Sequence, residues 1–210
     1  LYALDRARHA IVDHREAILC EGQIDVIRCH QMGFTRAVAA QGTAFTEDHA
    51  RIMRRYADGA VLVYDSDDAG KKASVRTAGI PLQAGLAIRI ARLPRGEDPD
   101  SFLLKSGAPA FQALLDQAVT AVEFQIEVLS EKENIGAEIG LKRVVSAVLQ
   151  FIGQAPTAVQ RNHLLEKAAR KLGQHPSDLH HDLENLMRRT RRPERAEALE
   201  PQPAPTGEPP

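Results

Sequence analysis

Residues 61–72 read VLVYDSDDAGKK. The apolar run 60–64 breaks off into Asp65, Asp67 and Asp68, followed by Ala69-Gly70 and two lysines. An apolar run this short, closed by a polar burst, has the pattern of a buried parallel strand with the burst at its carboxyl end. In open α/β sheets ligands bind outside that end. Asp65 and Asp67 stand two apart, so in extended backbone they share one face. Two hard oxygen donors there suit Mg²⁺ better than zinc or a redox metal. The same acids would also serve as the negative N-terminus of the next helix, where Asp is favoured. Asp68, outside the alternation, reads that way.

Working outward, the neighbouring segments repeat the theme. Leu4, Ala7 and Ile11 recur at helical spacing, and AILC at 17–20 is a short apolar strand ending in Glu21-Gly22. Val26, Ile27 and Met32 mark a helix closed by Gly33. A strand at 37–40 stops at Gln41-Gly42-Thr43, and Thr46 with Glu47 and Asp48 opens a further helix. After the strand at 60–64 comes a helix that Pro81 should kink or shorten. Residues 86–92 then alternate Leu86, Ile88 and Ile90 against Ala87, Arg89 and Ala91, as a half-buried strand does. The order β-α-β-α-β-α-β predicts an α/β fold with a mostly parallel four-stranded sheet, flanking helices and right-handed crossovers. Glu21-Gly22, Gln41-Gly42-Thr43 and residues 65–70 then lie along one sheet edge. Gly22 and Gly42 would let a ligand approach the backbone, and Lys71, Lys72 and Arg76 could hold phosphate oxygens or simply face solvent.

After Pro94 the character changes. RGEDPD at 95–100 is a charged turn whose Asp98 and Asp100 can reach the same edge; read as plain structure, Asp100 caps a helix from Ser101. The chain is then helical to about residue 192, with apolar stripes that predict an antiparallel bundle. The expected organisation is a catalytic α/β unit at 1–94, a connector completing the site at 95–107, a bundle at 108–192 and a Pro-rich disordered linker at 193–210. The helix–Gly–helix pattern around residues 171–186 is similar to a DNA-reading helix pair. His180, His181, Asp182 and Glu184 suit major-groove reading poorly, so packing within the bundle is expected.

Composition excludes several classes. Net charge is −1 and 43% of the 210 residues are hydrophobic, which fits an ordinary globular chain rather than a strongly basic nucleic-acid binder. Cys20 and Cys29 are too few and too far apart for a zinc knuckle or a disulfide framework; Cys20 reads as a buried thiol. No stretch approaches the ~18 apolar residues of a membrane span. A cytoplasmic, reducing setting is the expectation, with no membrane partner.

Four blocks, in order, resemble a known family. Glu21-Gly22 after one strand and Asp65-Ser66-Asp67 after a later one match the defining pair of the Toprim fold, the Mg²⁺-binding module of bacterial primases, topoisomerases and some nucleases. EGQIDVI at 21–27 is similar to the EGYMDVI block of bacterial replicative primases. AAQGTAFTEDHARIMRRY at 39–56 is similar to their ASLGTALTEEHARLL segment. VYDSDDAGKKA at 63–73 and LPRGEDPDSFL at 93–103 resemble their DGDxAGxxA and LPDGEDPDxxL blocks. Two departures stand out: Gln23 replaces the usual Tyr, and Ser66 the usual Gly.

The resemblance implies a DNA primase, a DNA-directed RNA polymerase that makes short RNA primers for replication by nucleotidyl transfer. Glu21, Asp65 and Asp67 would be the central catalytic, metal-binding acids, with Asp98 and Asp100 as further ligands and Asp25 in support. Mg²⁺, with Mn²⁺ as a substitute, would be the cofactor, and zinc is not expected. Single-stranded DNA template, ribonucleoside triphosphates and the RNA primer would be the partners. The family's zinc ribbon, its basic template-gripping part and its helicase-binding domain have no counterpart read here. The expectation is therefore a chain inactive or weakly active alone, reaching the replicative helicase only through a missing domain. The alternatives are a Toprim nuclease or topoisomerase-type enzyme, and a non-catalytic replisome interaction module.

Overall fold

A computed structural model describes residues 1–40, 45–64 and 68–197. The strands β1 (Glu16–Cys20), β2 (Ala37–Ala39), β3 (Gly59–Tyr64) and β4 (Ala87–Arg92) are parallel and lie in the order β2-β1-β3-β4. All six residues of β3 are buried, because helices cover both faces. Side chains alternate between two cores, as a period of two requires. Leu19, Leu62 and Ile90 belong to the first, and Ile18, Cys20, Val61, Val63 and Ala91 to the second. Gly59 is required where β3 meets β4: a Cβ there would lie 2.6 Å from the Ala87 carbonyl oxygen.

The helices α1 (Leu4–His14), α3 (Glu47–Met53) and α4 (Asp68–Gln83) flank the first face, and α2 (Gln23–Gln31) the second. Thr46 caps α3 as expected, its hydroxyl accepting the His49 N–H at 3.3 Å. Pro81 sits inside α4, which ends two residues later at Gln83.

Two features differ from expectation. A fifth strand, β5 (Val119–Thr120), adds to β4 in antiparallel sense, too short to show any alternation in sequence. Moreover, α5 (Pro99–Asp116) starts in the charged turn and consists of two helical segments joined at a break, Gly107 (φ 76°, ψ 174°), ahead of Pro109. Its Phe102, Leu103, Phe111 and Leu115 pack into the second core beside Phe34. The expected boundary between 107 and 108 falls at this break, and the segment after it packs with the sheet through Phe111 and Leu115 rather than with the bundle. Apolar spacing alone cannot say against which layer a stripe packs.

The bundle proper comprises α6 (Ala121–Ser130), α7 (Glu138–Gly153), α8 (Ala158–Leu172) and α9 (Pro176–Glu197). Gly173 ends α8 in left-handed backbone (φ 65°), and Leu179 and Leu183 of α9 are buried in the bundle core, as expected for packing rather than groove reading. The bundle is docked on the sheet: α6 packs on α4 and β4, Gln160 Nε2 donates to the Leu86 carbonyl at 3.2 Å, and Arg92 pairs with Glu127. No described helix is long and apolar enough to cross a membrane.

Candidate cation site at the carboxyl edge

Registration of the strands aligns their ends. Cys20 is level with Ala39 on one side and Val63 on the other, and Val63 with Ala91. Glu21 therefore leaves β1 beside the end of β3, and its side chain is exposed. Asp65, Asp67, Gly42 and Ser66 lie outside the described residues, as do the side chains of Lys71, Lys72 and Arg76. What the structure does place is the loop carrying Glu21, the start of α2, and the turn that opens α5.

Gly22 is the N-cap of α2 in extended backbone. Lacking a capping side chain, it leaves the task to Asp25, whose Oδ2 accepts the Gly22 N–H at 3.1 Å. A Cβ on Gly22 would sit 3.1 Å from that oxygen, so the glycine here serves the cap itself. Asp25 is only 8% exposed, and no other charged side chain among the described residues is as buried. Its Oδ1 accepts the Asp100 N–H at 3.3 Å. One carboxylate thus ties the Glu21 loop to the start of α5. Gln23, the first residue of α2, is exposed and contributes nothing to this tie.

The turn corrects one reading. Asp98, not Asp100, caps α5: its Oδ1 accepts the Ser101 N–H at 2.7 Å, while the Asp98 N–H donates to Ser101 Oγ at 3.0 Å. Pro99 at the first helical position explains the earlier start, since its missing N–H costs nothing there. Asp100 is free of capping duty and instead pairs with Arg28, with Nε to Oδ1 at 2.6 Å and both side chains about a quarter exposed. Arg28 Nη1 donates in turn to Gln31 Oε1 at 2.9 Å. Sequence reading missed Arg28. Its partner is 72 positions away, and the available signal was only its place three residues after Asp25, on the same helical face.

Nearby groups bear on the alternatives. Burial pushes the Tyr64 phenol well above its usual range; a hydrogen bond with Thr77 offsets part of this, and the Glu21 charge adds to it. Tyr64 lies buried at the end of β3, a setting unsuited to a topoisomerase-type nucleophilic tyrosine. The Cys20 thiol, hydrogen-bonded with Cys29 and fully buried, is likewise pushed up, in keeping with a packing role.

The donors at this edge are all carboxylates, a set that fits a hard divalent cation. Among the described residues no three acids, histidines or cysteines stand together as a ready metal cage.

Comparison with known proteins agrees with this architecture. Residues 18–103 match a family described as Toprim-like, and residues 122–177 match the DnaB-helicase binding domain of primase. The second match overturns the expectation that the helicase-binding part is missing from this chain: it falls on the bundle, whose stripes show packing but not partner. The chain is 32% identical over 180 residues to a DNA primase of Synechococcus elongatus, covering 83% of this chain and 26% of that one. Among solved structures, a DNA primase domain from Pseudomonas aeruginosa superposes with a TM-score of 0.75 at 29% identity, over 86% of this chain and 58% of that one. A DnaG primase catalytic domain bound to ssDNA gives 0.74 at 30%, over 84% and 57%. The chain thus spans about a quarter of the length of the curated relatives it matches.

Proposed function

The chain belongs to the bacterial DNA primase family, and on that premise we propose that it supplies the nucleotidyl-transfer centre for DNA-templated synthesis of RNA primers. The observation that carries this reading is the Asp25 tie, which brings the Glu21 loop and the turn bearing Asp98 and Asp100 to the carboxyl edge where residues 65–67 follow β3.

The family is metal-dependent, and here Glu21, Asp65 and Asp67 would hold Mg²⁺, with Mn²⁺ as substitute, and Asp98 on the flank. When bound, the ion would activate the attacking hydroxyl and stabilise the leaving pyrophosphate. The chain's own residues supply the frame. Asp25 fixes the start of α2 relative to α5, so the carboxyl groups keep their spacing through the reaction. Asp98 is oriented by the Ser101 N–H, and Lys71, Lys72 and Arg76 open the helix that would meet triphosphate oxygens. The ssDNA-bound relative supports a single-stranded template, with ribonucleoside triphosphates as substrates in the cytoplasm. The bundle gives a second role: the helicase-binding match at residues 122–177 supports contact with a replicative helicase.

The test joins this chain to the zinc-ribbon and template-gripping parts of a family member and measures primer synthesis on single-stranded DNA. Glu21→Gln, at an exposed position, is expected to lower turnover at least ~100-fold with thermal stability unchanged. Turnover within a few-fold of wild type would remove Glu21 from the centre.

A further inference from the structure

Asp100 is one of the acids expected to hold a divalent cation, yet a cation already sits on it. Arg28 and Asp25 lie three apart on α2, and together they grip one residue of α5: Asp25 takes the Asp100 N–H and Arg28 its carboxylate. The guanidinium is itself steered by Gln31 Oε1, so it is held in place before any ligand arrives. Arginine does not deprotonate in proteins, so the pair does not open by loss of a proton. A divalent ion approaching Asp100 would meet a fixed positive charge in contact with the ligand it seeks.

We propose that Arg28 is a positioning residue acting as a built-in counter-ion. It withdraws Asp100 from the cation ligands and confines the metal to the remaining acids of the edge. The inference rests on the divalent-cation reading above. The opposite arrangement, in which an arginine merely orients a ligating carboxylate from behind, predicts the opposite sign when Arg28 is removed.

Mn²⁺ binding to the full chain, counted by the electron paramagnetic resonance of free Mn²⁺, separates the two. Arg28→Gln is expected to add one bound ion or to tighten the weakest binding by roughly tenfold or more, through loss of a like charge at contact range. Arg28→Lys, which keeps the charge, should bind as wild type and shows that the position tolerates exchange. Arg28→Gln combined with Asp100→Asn should lose the gain. Weaker or unchanged binding in Arg28→Gln overturns the proposal. Glu21→Gln distinguishes the failures: if it abolishes binding while Arg28→Gln has no effect, only the role of Arg28 falls. If Glu21→Gln leaves Mn²⁺ binding intact, the cation reading that this inference needs falls with it.

Discussion

The two edges of the same four parallel strands handle most of their acids differently. At the amino edge charge is cancelled by charge. Glu16 accepts from Arg89 at 2.7 Å, with Arg36 3.7 Å away. Asp58 takes Arg15 through both carboxylate oxygens and Arg54 at 3.2 Å. At the carboxyl edge neutral donors do much of the holding: Asp25 takes two backbone N–H groups and Asp98 one. A carboxylate held by amides keeps its charge and its field, whereas one bracketed by guanidinium groups is already neutralised. Four strands thus end in an edge of ion pairs on one side and, on the proposed reading, an edge that takes a cation on the other.

The sharpest way to break the contrast is Asp25→Ala. It strands two N–H groups at a buried position and should cost about 3 kcal/mol in urea unfolding, together with Mn²⁺ affinity, because the loop and the turn lose their tie. A purely structural edge would lose stability and keep its Mn²⁺ binding. Next in size is Gly59→Ala, where the new Cβ presses on the Ala87 carbonyl. Overpacking of this kind is expected to cost about 2 kcal/mol, with Mn²⁺ binding intact if the amino edge is structural only.

Glu16→Gln removes a half-buried charge from between two arginines. A loss of about 1 kcal/mol is expected after allowance for solvent screening, again with no change in Mn²⁺ binding. Asp58→Asn is the mildest. The Arg15 hydrogen bonds, aided by Arg54, hold the Asp58 carboxyl below its usual range. Its folded value therefore lies below the unfolded one, so its contribution is present above about pH 4 and fades as pH falls through the folded value. Melting curves of wild type and Asp58→Asn should differ near neutrality and converge in acid; a difference that persists unchanged in acid would refute the assignment.

Most of the sheet was legible because its signals are local. The apolar runs at 17–20 and 60–64 and the alternation at 86–92 fell on β1, β3 and β4, and Thr46 announced α3. Failures came where the deciding contact is remote or the element is minimal. Two residues of β5 carry no period. The stripe of Phe111 and Leu115 is the same whether it faces a bundle or a sheet. Asp98 and Asp100 are equivalent in composition, and only Pro99 between them tips capping to the former. Arg28 had no local mark beyond its place three residues after Asp25, since its meaning lies in a carboxylate on a helix far along the chain. At the site, Glu21 and Asp25 could be read from one block, while the way Asp25 spans two loops could not.

The first core passes without a break from Leu19 and Leu62 through Leu86 and Ile90 into Val122, Val148 and Leu165 of the bundle. The two family matches end and begin at residues 103 and 122, so the text of the protein has a seam that its interior lacks. A chain cut between them would turn the apolar side of β4 and α4 to water, and heating should melt the two parts in one cooperative transition. Whatever grips the bundle is therefore mechanically coupled to the sheet, and strain applied at one would be felt as a shift in the melting of the other.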